Sequence, residues 1–200
     1  MNAILKKFVE DNIHLIEESK YNTLFILAIE QMNVTMISQL IDLLNQAKLF
    51  SWDDLDMIPD GAFMSSDISS FDIPKNIEVI GHKAFFQSNV KNMIIPETVK
   101  EIQSYSFYNC LELEDVSIEG AKFINAEAFA ECPKLHHIKL PDTLIDLKYN
   151  VFKNSKNLNI DFQGTKEDWY NLTLGEPIKY FYKADILKVN CSDGSYEKEF

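Results

Sequence analysis

Residues 95–118 read IPETVKEIQSYSFYNCLELEDVSI, and variants of this pattern recur along most of the chain. The central phenylalanine, Phe107, belongs to a column of five whose members are 22, 22, 22 and 23 residues apart. An isoleucine or leucine stands five residues before each member, and a small or β-branched residue comes directly before it. The column comprises Phe63, Phe85, Phe107, Phe129 and Phe152. Self-similarity at a fixed period of this length predicts a repeat protein.

A second recurring stretch lies between the phenylalanines, at residues 68–74, 90–96, 113–119 and 135–141. It alternates apolar and polar residues, which predicts a short strand with one face in the core. Pro74, Pro96 and Pro141 end three of the four stretches, and the third has Glu119 followed by Gly120. Proline cannot donate to a ladder, so it ends a strand. A unit of about 22 residues cannot bury its own apolar face, and the sequence therefore predicts a stacked solenoid.

The strings IPKNIEVIGHKAF (residues 73–85) and residues 95–118 resemble BspA-type leucine-rich repeats, whose consensus is approximately I-P-x-x-V-x-x-I-G-x-x-A-F-x-x-C-x-x-L-x-x-I. The resemblance spans residues 58–162. Gln103 and Lys148 replace glycine, Ser88 replaces cysteine, and Glu119 replaces proline. The resemblance implies an α/β solenoid that acts as a binding scaffold, and many members of the family are secreted or surface proteins.

The two ends of the chain differ from the repeats. Residues 1–50 have helical periodicity, as in Ile37, Leu40 and Leu44, and predict two or three helices that cap the first repeat, bind a partner, or do both. At the other end, FQGTKEDWYNL (residues 162–172) is similar to the segment that ends such arrays, and the spacing of Trp169 and Leu172 predicts a short amphipathic helix. We expect an N-terminal helical segment at 1–50, about five repeats at 51–165 and a C-terminal cap at 166–200.

Composition excludes several functions. The chain has 31 acidic and 19 basic residues, a net charge of −12, and every basic residue is lysine. The absence of arginine and the negative charge disfavour direct nucleic-acid binding and anionic membrane surfaces. No apolar run is long enough to span a bilayer, and no signal peptide is recognisable, so we expect a cytoplasmic protein. Three scattered cysteines do not form a disulfide framework, and Cys110 and Cys132, one period apart, are interpreted as packed thiols.

Catalytic and metal-binding motifs are not found. No nucleophile elbow, zinc-binding helix, phosphate loop or dinucleotide fingerprint is present, so we expect no enzyme activity, no cofactor and no metal. His136 and His137 are adjacent, and alternation along a strand would point their rings to opposite faces. The repeat period sets Glu114 and Asp115 beside them, which indicates a surface ion-pair ladder in preference to a metal or acid–base site. An enzyme would need a pocket near the first repeat, using Asp60 or His82.

Two surfaces are candidates for partner binding. The first is an acidic stretch without lysine between residues 51 and 73, with Trp52, Asp53, Asp54, Asp56, Asp60 and Asp72 as its candidate contacts. The second is the row of side chains that alternates with the buried strand positions. It begins at Ser70 and Asp72 and continues through Asn92, Ile94, Asp115, Ser117, His137, Lys139, Asn159 and Asp161. Solenoids present such rows as broad interaction faces.

These features favour a non-enzymatic protein–protein interaction module that presents a repeat face and an acidic surface. We expect its partner to be a bacterial host protein. A homodimer is the other possible assembly. The string FVEDNIHLIEE (residues 8–18) resembles the openings of small proteins from phages of low-GC bacteria. The alternative is therefore a phage-encoded, anti-defence inhibitor of a host protein such as a defence nuclease. Such an inhibitor would act by acidic mimicry of nucleic acid.

Overall fold

The computed structural model describes residues 55–173 and 186–197, together with residues 7, 11 and 12. The helices predicted at 1–50 lie outside these ranges except at the three isolated positions. The strands are β1 (Met57–Ile58), β2 (Val79–Ile80), β3 (Asn92–Ile95), β4 (Glu101–Ile102), β5 (Asp115–Ile118), β6 (Phe123–Ile124), β7 (His137–Leu140), β8 (Asp146–Leu147), β9 (Leu158–Phe162), β10 (Ile186–Cys191) and β11 (Gly194–Glu197), and helix α1 is Lys166–Leu172. In the described part of the chain, no helix is long and apolar enough to cross a membrane.

Successive repeats contribute one strand to each of two sheets. The short sheet has the order β1-β2-β4-β6-β8 and the long sheet the order β11-β10-β9-β7-β5-β3. All neighbouring strands are parallel except β10 and β11. Equivalent residues of adjacent repeats stand side by side, as Val116 does between Met93 and Ile138. The predicted repeat solenoid is therefore confirmed, with strands and turns as its regular structure between residues 57 and 162.

The core is built from stacked columns of equivalent side chains. Neighbouring rings of the phenylalanine column have centroids 5.0, 4.9, 5.0 and 6.1 Å apart, with planes 5 to 23° from parallel. The column of Ile58, Ile80, Ile102, Ile124 and Leu147 is fully buried beside it. Burial of each large apolar side chain contributes about 1.5–3 kcal/mol, so the columns hold the array together.

Each turn around a buried phenylalanine contains two left-handed residues, one two positions before the ring and one two positions after it. Their φ angles lie between 55 and 65° at Gly61, Lys83, Tyr105, Glu127 and Asn150, and at Ser65, Gln87, Asn109, Glu131 and Asn154. A non-glycine residue in this conformation costs about 1–2 kcal/mol. Backbone hydrogen bonds between repeats offset that cost, as in the 2.7 Å bond from Phe85 N to Ser106 O.

The first unit departs from the prediction. Residues 68–73 form no strand, so the row positions Ser70 and Asp72 are not part of the long sheet. Two backbone hydrogen bonds connect residues 66 and 69 to the next repeat: Asn89 N donates to Ser66 O, and Lys91 N donates to Ser69 O. Phe71 packs against Phe63, with ring centroids 4.6 Å apart, and Ile73 is buried in the core while Asp72 is exposed. The inward and outward alternation therefore persists here, because apolar burial directs the side chains even where no strand ladder forms.

Helix α1 closes the C-terminal end of the solenoid, as predicted, and strand β10 extends the long sheet beyond the last repeat. Thr165 is the N-cap of α1 and forms a capping box with Asp168, which satisfies backbone N–H groups at the start of the helix. Trp169 is buried against Phe162, with ring centroids 5.4 Å apart. β10 then pairs in parallel with β9, so both the core and the sheet continue past the last repeat.

Candidate interaction surface

The outward face of the long sheet carries two columns of side chains. One column contains Asn92, Asp115, His137 and Asn159, and the other contains Ile94, Ser117, Lys139 and Asp161. β10 extends the two columns with Lys188 and Asn190, respectively. The register predicted for the row from β3 onward is therefore confirmed, and the strands bring side chains from four repeats onto one surface.

Ile94 is the large apolar residue of this face. Its exposed fraction is 66%, while its strand neighbours Met93 and Ile95 are buried in the core. Asn92 lies on the same side of β3, and Ser117 stands beside Ile94 on β5. An exposed isoleucine surrounded by polar groups offers a partner apolar contact area with hydrogen-bonding groups at its edge.

His137 connects two aspartates across the sheet. Its Nδ1 lies 3.4 Å from Asp115 Oδ1, and its Nε2 lies 2.9 Å from Asp161 Oδ2. His136 Nε2 lies 3.8 Å from the same Asp115 oxygen. The expectation that the two histidine rings point apart is wrong, because His136 precedes the start of β7 and strand alternation does not apply to it. Of the two carboxylates that the sequence placed beside the histidines, Asp115 contacts both rings, and Asp161 of the next repeat contacts His137 as well.

The electrostatics of Asp161 follow from its hydrogen bonds. Asn190 Nδ2 donates to Asp161 Oδ1 at 2.6 Å. This bond, together with the one to His137, lowers the pKa of Asp161 below its ordinary value because both stabilise the charged carboxylate. Asp161 is thus an ionised group, fixed in position between β7 and β10. Among the described residues, no three His, Cys, Asp or Glu side chains are placed to hold a metal ion.

Two of the acidic candidates, Asp56 and Asp60, lie apart from this face. Trp52, Asp53 and Asp54 are outside the described residues, whereas Asp56, Asp60 and Asp72 are exposed. Residues 56 and 60 flank β1 of the short sheet, so the solenoid separates them from the outward face of the long sheet. Asp60 Oδ1 accepts a 2.7 Å hydrogen bond from His82 N, which gives this carboxylate a role in connecting two repeats.

An open groove at the corner after the long sheet has a volume of about 430 Å³. Its lining mixes glutamate, lysine and threonine with one glycine, namely Glu78, Glu97, Thr98, Lys100, Glu119, Gly120, Lys122 and Thr143. It contains no histidine or cysteine that could serve as a base or a thiol nucleophile. The two cysteines one period apart, Cys110 and Cys132, are buried elsewhere, and each thiol donates to a main-chain carbonyl, at 3.0 and 3.1 Å. Burial raises the pKa of Cys132, so its thiol is packed and protonated, as the sequence predicts.

Sequence reasoning missed an aromatic surface on the turns that lead from the short sheet to the long sheet. The rings of Phe86 and Tyr108 stack with centroids 5.3 Å apart, and Tyr105 packs edge-on against Tyr108 at 5.6 Å. His82 in turn packs edge-on against Tyr105 at 5.7 Å. The signal was available, because Phe86 and Tyr108 directly follow members of the phenylalanine column and stand one period apart.

Comparison with known protein families gives a match over more than half of the chain. The model described as "BspA type Leucine rich repeat region" matches residues 56–173 with six copies. A comparison with curated proteins found no match.

Three solved structures are similar to this chain. The pneumococcal vaccine antigen PcpA is 16% identical, with a TM-score of 0.40, over 68% of this chain and 45% of that one. A leucine-rich cell surface protein from Faecalibacterium prausnitzii is 13% identical, with a TM-score of 0.26, over 60% of each chain. A leucine-rich repeat protein from Bacteroides ovatus is 16% identical, with a TM-score of 0.29, over 70% of this chain and 58% of that one. This chain therefore spans only about half of the length of the solved chains that it matches.

Proposed function

The chain belongs to the BspA-type leucine-rich repeat family, and from this membership we propose that it is a non-enzymatic protein–protein interaction module whose binding face is the outward face of the long sheet. The observation that carries the proposal is the exposure of Ile94, at 66%, at the edge of two polar columns. The partner is a protein, proposed to be a bacterial host protein met in the cytoplasm, with a second copy of the chain as a further candidate.

The chemistry of the face suits recognition. Asp115, His137 and Asp161 form a connected set of hydrogen-bonding groups, and Lys139 adds a positive charge in the same row as Ile94. Such a face discriminates partners by charge and hydrogen-bond pattern, with apolar burial at position 94 contributing affinity. The side chains stand side by side along neighbouring strands and do not converge on a reacting atom, which favours binding over catalysis.

Affinity capture with variants of the face tests this proposal. The full chain is used as bait in a nuclease-treated bacterial lysate, beside the variants Ile94→Asp and Lys139→Glu. Lys156→Glu is the charge-matched control, because Lys156 is exposed outside the long sheet. We expect one protein to be captured by the wild type and the control and lost by both face variants. Capture of the same protein by all four baits would contradict the assignment of the face.

A second candidate function is inhibition of a host protein, such as a defence nuclease, by a phage-encoded acidic surface. Its support is the net charge of −12 and the exposure of Asp56, Asp60 and Asp72. A salt titration of the captured complex discriminates the two functions. Mimicry of nucleic acid predicts a steep loss of affinity with salt and a loss of binding when Asp53, Asp54 and Asp56 are changed to lysine, whereas binding through Ile94 predicts neither.

A further inference from the structure

The short sheet has an outward face of its own, which the solenoid separates from the outward face of the long sheet. We define the charge column as Asp56, Glu78, Lys100 and Lys122, the exposed residues that directly precede strands β1, β2, β4 and β6. We propose that the charge column binds the charge column of a second copy of this chain, with the two solenoids antiparallel. The long sheet takes no part in this contact, so the inference is independent of the function proposed above.

Main-chain hydrogen bonds fix the order and the spacing of the charge column. Glu78 N donates to Asp56 O at 2.6 Å, Lys100 N to Glu78 O at 2.7 Å, and Lys122 N to Lys100 O at 2.8 Å. Adjacent strands in a sheet are about 4.8 Å apart, so the four residues form an evenly spaced row. Along this row the charges are negative, negative, positive and positive.

This order of charges is self-complementary. A two-fold axis that runs parallel to the strands, midway between Glu78 and Lys100, turns the second copy over and reverses its row. Glu78 then faces Lys100 of the second copy, and Asp56 faces Lys122 of the second copy. Each pair occurs twice in such an isologous contact, so every charge in the row meets one of opposite sign. The same rotation keeps the strands of the two sheets aligned, as in other face-to-face sheet packings.

The neighbouring column of the short sheet supplies an apolar contact under the same rotation. Met57, Val79, Glu101 and Phe123 stand side by side on β1, β2, β4 and β6. The axis brings Phe123, which is 40% exposed, onto the half-buried Met57 of the second copy. A thioether packs favourably against an aromatic ring. Glu101 comes opposite Val79, but its carboxylate already has a partner, since Asn125 Nδ2 donates to Glu101 Oε1 at 2.7 Å.

The charged groups of the column are available for this contact. Within the part of the chain that the structure describes, Asp56, Glu78 and Lys122 form no ion pair. Lys100 Nζ donates to the main-chain oxygen of Glu97, so its charge has no carboxylate partner there. A second copy would supply the missing partners.

The net charge of −12 opposes the approach of two copies. At physiological ionic strength, however, exposed charges interact over only about 8 Å, so most of this repulsion is screened. Paired groups in contact lie well inside that distance, and the local order of charges therefore outweighs the net charge. A dimer of this kind leaves both long-sheet faces open and can bind a partner at two sites.

Sedimentation velocity of the full chain at a series of concentrations tests the proposal. We expect a monomer–dimer equilibrium for the wild type. Asp56→Lys and Lys122→Glu each place like charges opposite one another, so each should weaken dimerisation at least tenfold. When these two variants are mixed, every facing pair again has opposite charges, and the mixture should form a heterodimer about as tightly as the wild type dimerises. Asp72→Lys and Lys156→Glu, at exposed positions outside the short sheet, are the charge-matched controls and should dimerise normally.

The outcomes separate this inference from the function proposed for the long sheet. The substituted side chains are exposed, so the variants are expected to fold, and their melting temperatures check this. Ile94→Asp should dimerise as the wild type does. A wild type that stays monomeric at every concentration, single variants that dimerise as tightly as the controls, or mixed variants that do not associate would each overturn the assignment of the charge column.

Discussion

Gly120 packs against the main chain of Glu97 in the preceding repeat, where an added Cβ would lie 2.3 Å from the Glu97 carbonyl oxygen. The approach is this close because the turn that follows β5 is one residue shorter than the equivalent turn after β3 in the preceding repeat. Six positions separate Ile118 from Ile124, against seven between the equivalent residues 95 and 102. An extra residue before β5 compensates, since Phe107 and Ile118 are 11 positions apart and residues 85 and 95 are 10 apart. The even period of the phenylalanines thus conceals an insertion and a deletion in the same repeat.

Gly120→Ala should therefore destabilise the solenoid. The neighbouring atoms belong to the backbone of Glu97 and cannot move as a flexible side chain could. Overpacking of this kind costs about 1–3 kcal/mol, which urea denaturation monitored by circular dichroism can measure. Glu119→Ala is the control, because Glu119 is exposed at the same corner. Equal stability of the two variants would contradict the close approach.

Phe107→Ala should be one of the most damaging single changes to the array. Phe107 is fully buried between Phe85 and Phe129, with centroids 4.9 and 5.0 Å away. Removing a buried ring leaves a cavity and costs about 3–5 kcal/mol of unfolding free energy. Phe123→Ala removes a ring that is 40% exposed and should cost much less. The free energies of unfolding of the two variants provide the check, and a loss below about 1 kcal/mol for Phe107→Ala would refute the stacked core.

Gln87→Gly should stabilise the protein. Gln87 is exposed and has a φ of 57°, a conformation that costs a non-glycine residue about 1–2 kcal/mol. Glycine loses more chain entropy on folding, about 0.5–1 kcal/mol, so a net gain of up to about 1.5 kcal/mol is expected. Lys91→Gly, at an exposed position without a positive φ, should destabilise. The melting temperatures of the two variants are compared with that of the wild type. A decrease in both variants would show that the left-handed turns store no strain.

Asp161→Asn should lower stability at neutral pH and have little effect in acid. The hydrogen bonds from Asn190 and His137 lower the pKa of Asp161 in the folded state. A carboxylate with a lowered pKa contributes stability at pH values above the unfolded value of about 3.9, and this is lost as the pH falls through the folded pKa. The melting temperatures of the wild type and the variant should therefore differ at pH 7 and converge as the pH falls through the lowered folded pKa of Asp161. Asp142→Asn, at an exposed corner, is the control, and an undiminished difference in acid would contradict the assigned hydrogen bonds.

Much of the fold was predictable because a solenoid repeats one local solution. The spacing of the phenylalanines, the isoleucine column and the strand-ending prolines indicated the stacked core and the register of the long sheet. The spacing of Trp169 and Leu172 indicated the closing helix. The strand predicted at residues 68–73 is not formed, because an alternating pattern shows which side chains face the core but not how far the backbone ladder extends. The candidate contacts Trp52, Asp53 and Asp54 lie outside the described residues, so the structure does not test them.

The sequence by itself determined the period, the inward columns and the family, because burial of apolar side chains at fixed intervals is a local property repeated along the chain. Only the tertiary structure decided which side chains meet across repeats. Asp161 lies beside His137 and Asn190, 24 and 29 residues away, and the rings of Phe86 and Tyr108 stack across one repeat. These meetings depend on rotamers and on one-residue differences between repeats. Such differences leave the period almost unchanged, yet they move surface groups by several ångströms, the range over which hydrogen bonds and ion pairs form or fail.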